Sequence, residues 1–199
     1  MQQELLKCLI DYYSKLANTE DKWRVLAKSV ERTIEALKNQ TEQFQHVTSS
    51  EVDNAELCKV EGLRERLIFK IHAGIEDEVE RICEALIHFK NYNQELKTKL
   101  KKLESVRDKV SLEDEVMKEL MDGTPRRPAL NLLLEWAIDS HDYYEKLYCT
   151  LRDSLKAVDY KDEASVERLA DSFVESESMR MKIDRILAYT QFIARQPIR

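Results

Sequence analysis

Apolar residues recur along this chain in steps alternating four and three, the spacing that keeps side chains on one helix seam. The longest run reads Ile75, Val79, Ile82, Leu86, Phe89, Asn93, Leu96, Leu100, Leu103, Arg107 and Val110. Val106 beside Arg107 keeps that stripe apolar near its end. At about 1.5 Å per residue the predicted helix is about 50 Å long. A second seam follows Pro128: Leu130, Leu134, Ala137, His141, Tyr144, Tyr148, Leu151, Leu155 and Val158. The N-terminal region carries Leu5, Leu9, Tyr12 and Leu16, then Trp23, Leu26, Val30, Thr33, Leu37, Gln40 and Phe44. Asn18-Thr19 predicts a break between those two sets, with Thr19 capping the second helix. The last seam is less regular, built on Val166, Leu169, Phe173, Ile183, Leu187 and Ile193, and the end around Pro197 is expected to fray.

Two segments interrupt the pattern. Residues 46–54, HVTSSEVDN, mix turn formers with β-branched residues. Residues 111–128 end in MDGTPRRP and carry Gly123, Pro125 and Pro128, so they read as a linker, with LEDEVMKELM inside it able to form a short helix. Gly74, between Ile71 and Ile75, predicts a weak point or kink. The expectation is an all-α protein: an elongated antiparallel bundle of four to five long helices with coiled-coil-like packing. It forms one domain over 1–199, with N-terminal helices in 1–45, a long helix over 55–110 kinked near 74, a linker over 111–128 and a C-terminal helical hairpin over 129–196. No repeat of fixed period supports a solenoid.

Composition sharpens this picture. Of 199 residues 35% are charged and only three are Gly and three Pro, too few turn formers for a sandwich or an α/β fold. Hydrophobic residues make up 43%, enough to bury a core. The formal charge of −6 is opposite to that of a chain wrapping nucleic acid through phosphates. Lys97, Lys99, Lys101 and Lys102, and the pair Arg126 and Arg127, are basic clusters that read as a solvated helix face and a loop. Cys8, Cys58, Cys83 and Cys149 lie far apart and no basic, apolar leader opens the chain, so a soluble intracellular protein with free thiols is expected. The apolar stretch 129–138 is too short to span a bilayer and contains Glu135.

Catalytic chemistry finds no footing. A di-metal bundle site needs Glu-x-x-His, yet the residues three before His46, His72, His88 and His141 are Gln43, Phe69, Ala85 and Ile138. Gly62, Gly74 and Gly123 are isolated, so no phosphate-cradling loop forms, and no serine stands in Gly-x-Ser-x-Gly. The chain is therefore expected to be no enzyme and to hold no metal or cofactor. His141 on the seam reads as a hydrogen-bonded core histidine, with a pH-sensitive interfacial group as the competing role. Asn93 and Arg107 are polar seam residues of the kind that set register or partner.

Recognition-type residues concentrate in LLEWAIDSHDYYEKLY, residues 133–148. Tyr144 and Tyr148 lie on the seam, Trp136 flanks it and Tyr143 lies well round the helix. Trp and Tyr off a core face are common interface anchors, and a wide core absorbing all four is the competing reading. With these residues the chain resembles the AIRIM family of ribosome maturation factors. The features run in order: Lys7-Cys8, Trp23, Glu42-Gln43, LRERL at 63–67 with Lys70 and Gly74 behind it, then Leu134-Glu135-Trp136, Asp139, Tyr144, Lys146 and Tyr148. The 111–128 linker and the chain after about residue 165 match poorly.

The resemblance implies a non-catalytic adaptor of a hetero-hexameric AAA ATPase built from two related spermatogenesis-associated subunits. It implies pairing with a cyclin-dependent-kinase-interacting helical protein as a heterodimer. The work it implies is recycling of factors from cytoplasmic pre-ribosomal large subunits, contacted indirectly, with a link to clearing replication proteins from chromatin, hence cytoplasm and nucleus. Neither a membrane nor direct sequence-specific nucleic-acid contact is expected. Partner-binding candidates are Trp136, Tyr143, Tyr144, Tyr148 and Arg152, with Arg64 and Arg66 from the LRERL string. The alternative is a generic coiled-coil tether or scaffold subunit unrelated to an ATPase. A membrane-curving dimer is opposed by Glu76, Asp77, Glu78, Glu80 and Glu84 in the longest helix.

Overall fold

A computed structural model describes residues 2–52, 60–111, 117–125 and 127–194. The protein is all-α. Among the described residues the helices are α1 (Gln2–Thr48), α2 (Leu63–Arg107), α3 (Lys118–Asp122), α4 (Leu130–Ala157), α5 (Glu163–Asp171) and α6 (Glu177–Ala194), with one 3-10 turn at Ser50–Val52. Cys58, Arg126, Pro197 and the start of the helix expected from residue 55 lie outside the described residues.

The expected break at Asn18-Thr19 does not occur: α1 is one helix of 47 residues. The heptad step between Leu16 and Trp23 is filled by Thr19 and Glu20, which are 1% and 4% exposed. Polar side chains thus occupy a core position without interrupting the backbone ladder, and no Gly or Pro is there to end it. Helix α2 likewise passes through Gly74 without interruption. The expected C-terminal hairpin is instead three helices. The seam has no member between Phe173 and Ile183, and in that gap α5 ends at Asp171 and α6 begins at Glu177. Helix α5 opens at Asp162, whose side chain accepts from the Ala164 N–H at 3.2 Å and so satisfies a free donor of the first turn.

The chain forms two compact units. The first comprises Met1–Arg24, Phe89–Tyr148 and Glu175–Arg199. Within it Lys99 pairs with Asp11 at 2.7 Å and Lys15 with Glu95, so α1 and α2 run in opposite directions. Tyr13 donates to the Leu133 carbonyl, Tyr12 to that of Ala137, and Tyr144 to Glu20, so α4 runs with α1. Lys182 pairs with Asp139 at 2.9 Å and Tyr189 stacks on Trp136, so α6 returns along α4. The result is an up-down-up-down four-helix arrangement. Its centre is aromatic: Trp23 lies 4.1 Å from Phe89 and 5.1 Å from Tyr144 between ring centroids.

The second unit comprises Val25–His88 and Cys149–Val174. Its core is aliphatic, with Val30, Ile34, Leu37, Ile71, Ile75, Ile82, Leu151, Val166 and Leu169 buried. Arg64 donates to the carbonyls of Val47 and Ser49 at 2.8 and 3.1 Å, satisfying the end of α1. Thr41 donates to the Tyr160 carbonyl at 3.0 Å, and Lys38 pairs with Glu167 at 2.8 Å.

Candidate functional site

In the first unit a groove of about 610 Å³ lies between α4 and α6, closed at one end by the turn after α3. That turn is tightly built. Thr124 and Arg127 exchange backbone hydrogen bonds of 2.7 and 3.0 Å. Gly123 before it has φ +76°, and a Cβ there would stand 2.8 Å from both the Arg127 oxygen and the Ala129 nitrogen. Only glycine fits.

Leu132 and Trp136 on α4 face Tyr189 and Phe192 on α6. Tyr189 and Phe192 are more than half exposed, Leu132 is 38% exposed, and the Trp136 and Tyr189 rings stack at 5.7 Å. Among the described residues the charged side chains in the lining are Arg127 and Arg185. Arg127 donates to the Glu119 carbonyl at 2.8 Å, with the Glu119 carboxylate at 3.7 Å. Arg185 is exposed and has no ion pair or hydrogen bond among the described residues.

The opposite face of α6 is held by a buried polar knot. Glu20, 4% exposed, accepts from Arg180 at 2.5 Å and also from Tyr144 and Arg24. Burial works against the charged carboxylate, but these three donors outweigh it and hold Glu20 below the ordinary glutamate range. For Arg180, Asp184 and Glu20 outweigh desolvation and push its pKa up. Tyr143 reaches Glu175, and burial together with that carboxylate raises the phenol. Ile183, Ile186, Thr190 and Ile193 turn inward, which leaves Met181, Arg185, Tyr189 and Phe192 as a second stripe outward. Among the described residues no group of three or more His, Cys, Asp or Glu side chains converges as metal ligands, and no helix is long and apolar enough to cross a membrane.

A family model described as ribosome biogenesis protein C1orf109-like matches residues 3–192. The chain belongs to this family. It is the AIRIM family, and the match runs through the 111–128 segment and beyond residue 165, where the sequence resemblance was weakest. By family the chain is a ribosome biogenesis protein. No curated protein matches it.

The partner-binding candidates of this family member fall in several places. Trp136 lines the groove. Tyr143 and Tyr144 are 3% and 0% exposed, so as anchors on a surface they are corrected to core residues. Tyr143 is buried because α6 covers the flank of α4 that the seam leaves open, and Tyr144 because it meets Trp23 and Glu20. Tyr148 is half-buried at the end of the first unit. Arg64, Arg66 and Arg152 belong to the second unit: Arg64 binds carbonyls, Arg66 is exposed and Arg152 pairs with Asp153 at 2.9 Å. The four aromatic candidates thus lie in the first unit and the three arginines in the second. Tyr189, Phe192 and Arg185 were missed, although their spacing in ILAYTQFIA, off the Ile183–Ile193 seam, marks an outward stripe.

His141 is 8% exposed, with Nδ1 3.1 Å from Asp142 and Nε2 without a hydrogen-bond partner among the described residues. Asn93 is buried and donates to the Tyr144 carbonyl at 3.0 Å, tying α2 to α4. Arg107 is exposed, and Val106 carries the stripe in its place.

Proposed function

We propose that this chain is a non-catalytic adaptor in maturation of the large ribosomal subunit, acting by docking protein partners and not by chemistry of its own. The observation that carries this reading is the α4–α6 groove, where Trp136, Tyr189 and Phe192 stand partly or largely open to solvent beside Arg185, which has no ion pair among the described residues. Aromatic and arginine side chains in a concave site are the commonest anchors of protein association. In this reading the partners are the subunits of a hetero-hexameric AAA ATPase and a cyclin-dependent-kinase-interacting helical protein. The pre-ribosomal particle is reached through them, in cytoplasm and nucleus, with clearance of replication proteins from chromatin as a second task. Coupling a weak client contact to a multivalent motor raises local concentration without a tight single interface.

The test is affinity purification of the full chain against Trp136→Ala plus Tyr189→Ala, with helicity checked by circular dichroism. Recovery of both ATPase subunits and the kinase-interacting protein, lost in the double variant, is the expected result. Recovery unaffected by the variant keeps the adaptor role and removes it from the groove. If a coiled-coil set comes down without any ATPase, the chain is a tether and the adaptor reading fails.

A further inference from the structure

Resting on the reading of the groove as a docking site, we propose that its occupant is a short acidic segment of a partner protein. An apolar side chain of that segment sits against Trp136, Tyr189 and Phe192, and an adjacent carboxylate pairs with Arg185.

Charge selects this partner. The chain carries a formal charge of −6, yet among the described residues the charged side chains lining the groove are both arginines. Arg185 has no partner among the described residues, whereas Arg180 one turn before it is paired with both Asp184 and Glu20, and Asp184 also with Arg24. Arg127 is mostly satisfied by Glu119, and its Nε is buried without a hydrogen-bond partner among the described residues. An arginine beside aromatic faces binds a carboxylate strongly, because the planar fork is preorganised and the apolar walls exclude water.

Size agrees with a segment and not with a broad face. Arg185 to Phe192 spans two turns of α6, about 10 Å, and Leu132 to Trp136 one turn of α4. That length holds an apolar anchor and a charge one turn away, the spacing of an amphipathic helix in a groove. The residues after Ala194 carry two arginines and no acidic side chain, so they have the wrong charge to fill it. Single-stranded RNA also stacks on aromatic rings. Two arginines on an acidic chain supply too little phosphate attraction to favour it.

The experiment uses the full chain as bait for a phage-displayed library of 12-residue peptides, followed by anisotropy with the best synthetic peptide. The expected peptides place Asp or Glu within one turn of Leu, Phe, Met or Trp. Their binding falls about tenfold or more in Arg185→Glu, is largely kept in Arg185→Lys and weakens as salt rises. Both substitutions are at an exposed site, and circular dichroism verifies that the helices remain. Absence of selection, neutral or basic peptides, or indifference to Arg185→Glu overturns the proposal. A 12-residue oligouridylate binding at the same residues in preference to the peptides overturns it in favour of RNA. Concentration-dependent dimerisation abolished by Arg185→Glu overturns it in favour of a second copy. Purifying the ATPase subunits with Arg185→Glu separates the two levels: subunits retained while acidic peptides are lost leaves the segment proposal intact and moves the ATPase contact elsewhere. Subunits absent even from the unaltered chain end the adaptor reading alone.

Discussion

Glu20 is a carboxylate in the middle of a helix seam, stabilised only because Arg180, Tyr144 and Arg24 aim donors at it. Since its folded pKa is depressed, the stability it contributes is complete above the unfolded value of about 4.3 and is lost as pH falls through the folded value. Urea midpoints measured from pH 7 down to pH 3 are expected to drop along this limb, and Glu20→Gln is expected to flatten it. At neutral pH Glu20→Ala should cost about 1–3 kcal/mol, because it removes the acceptor of the buried Tyr144 hydroxyl and of Arg180 and Arg24, although Arg180 keeps Asp184. Tyr144→Phe should cost about 1–2 kcal/mol, the loss of one charge-assisted bond. A loss in Glu20→Ala no greater than that of an exposed glutamate would show that the knot contributes no net stability. The two tryptophans offer a separate check. Trp23 is 2% exposed while Trp136 borders the groove, so Trp136→Phe should shift fluorescence to shorter wavelength, leaving only the buried emitter.

At the scale of elements, the two glycines on α2 and before the Thr124 turn make opposite predictions. Gly74 lies within an uninterrupted helix, and the atoms nearest a Cβ there would be the end of the Gln40 side chain, at 2.9–3.1 Å. Gln40 is flexible and half-exposed, so it can yield. Gly74→Ala is therefore expected to stabilise by up to about 1 kcal/mol through helix propensity, read as a higher urea midpoint. Gly123→Ala meets backbone atoms on two sides at positive φ and has no such escape. It should destabilise by about 1–3 kcal/mol and, because the turn closes the groove, weaken acidic-peptide binding. The interior polar residues misdirect a reading of α1 for a related reason. Thr19 looks like a cap from its neighbours, yet its place on the seam between Leu16 and Trp23 puts it inside, and heptad register outweighs capping preference where a core is waiting.

For the molecule as a whole, the two units differ in what fills their cores. The first holds Tyr12, Tyr13, Trp23, Phe89, Tyr143 and Tyr144, and the second is aliphatic. Large aromatic side chains bury more area per residue and add ring contacts to it. Native-state hydrogen exchange is therefore expected to be slower for the α2 amides at Leu96–Leu103 than for those at Ile71–Ile82, although both lie in one helix. Uniform protection along α2 would show that the units open together. Ribosome biogenesis is the family-level role, and the charged side chains lining the groove among the described residues are basic on an acidic chain.

The heptad steps by themselves determined an all-α chain, the long helix over most of 63–107, the helix after Pro128 and the burial of Leu5, Leu9, Tyr12, Ile75, Phe89, Leu96 and Leu103. Periodicity suffices there because an apolar stripe has one favourable place to go. Family membership was also legible, in the ordered strings from Lys7-Cys8 to Tyr148. The division into two compact units, the burial of Tyr143 and Tyr144, and the meeting of Trp136 with Tyr189 and Arg185 were decided by tertiary structure alone. Those features depend on which neighbour covers each flank of α4 and on a partner 53 residues away in sequence. A seam records that a face is buried, not by what, and a groove exists only once two helices have been set side by side.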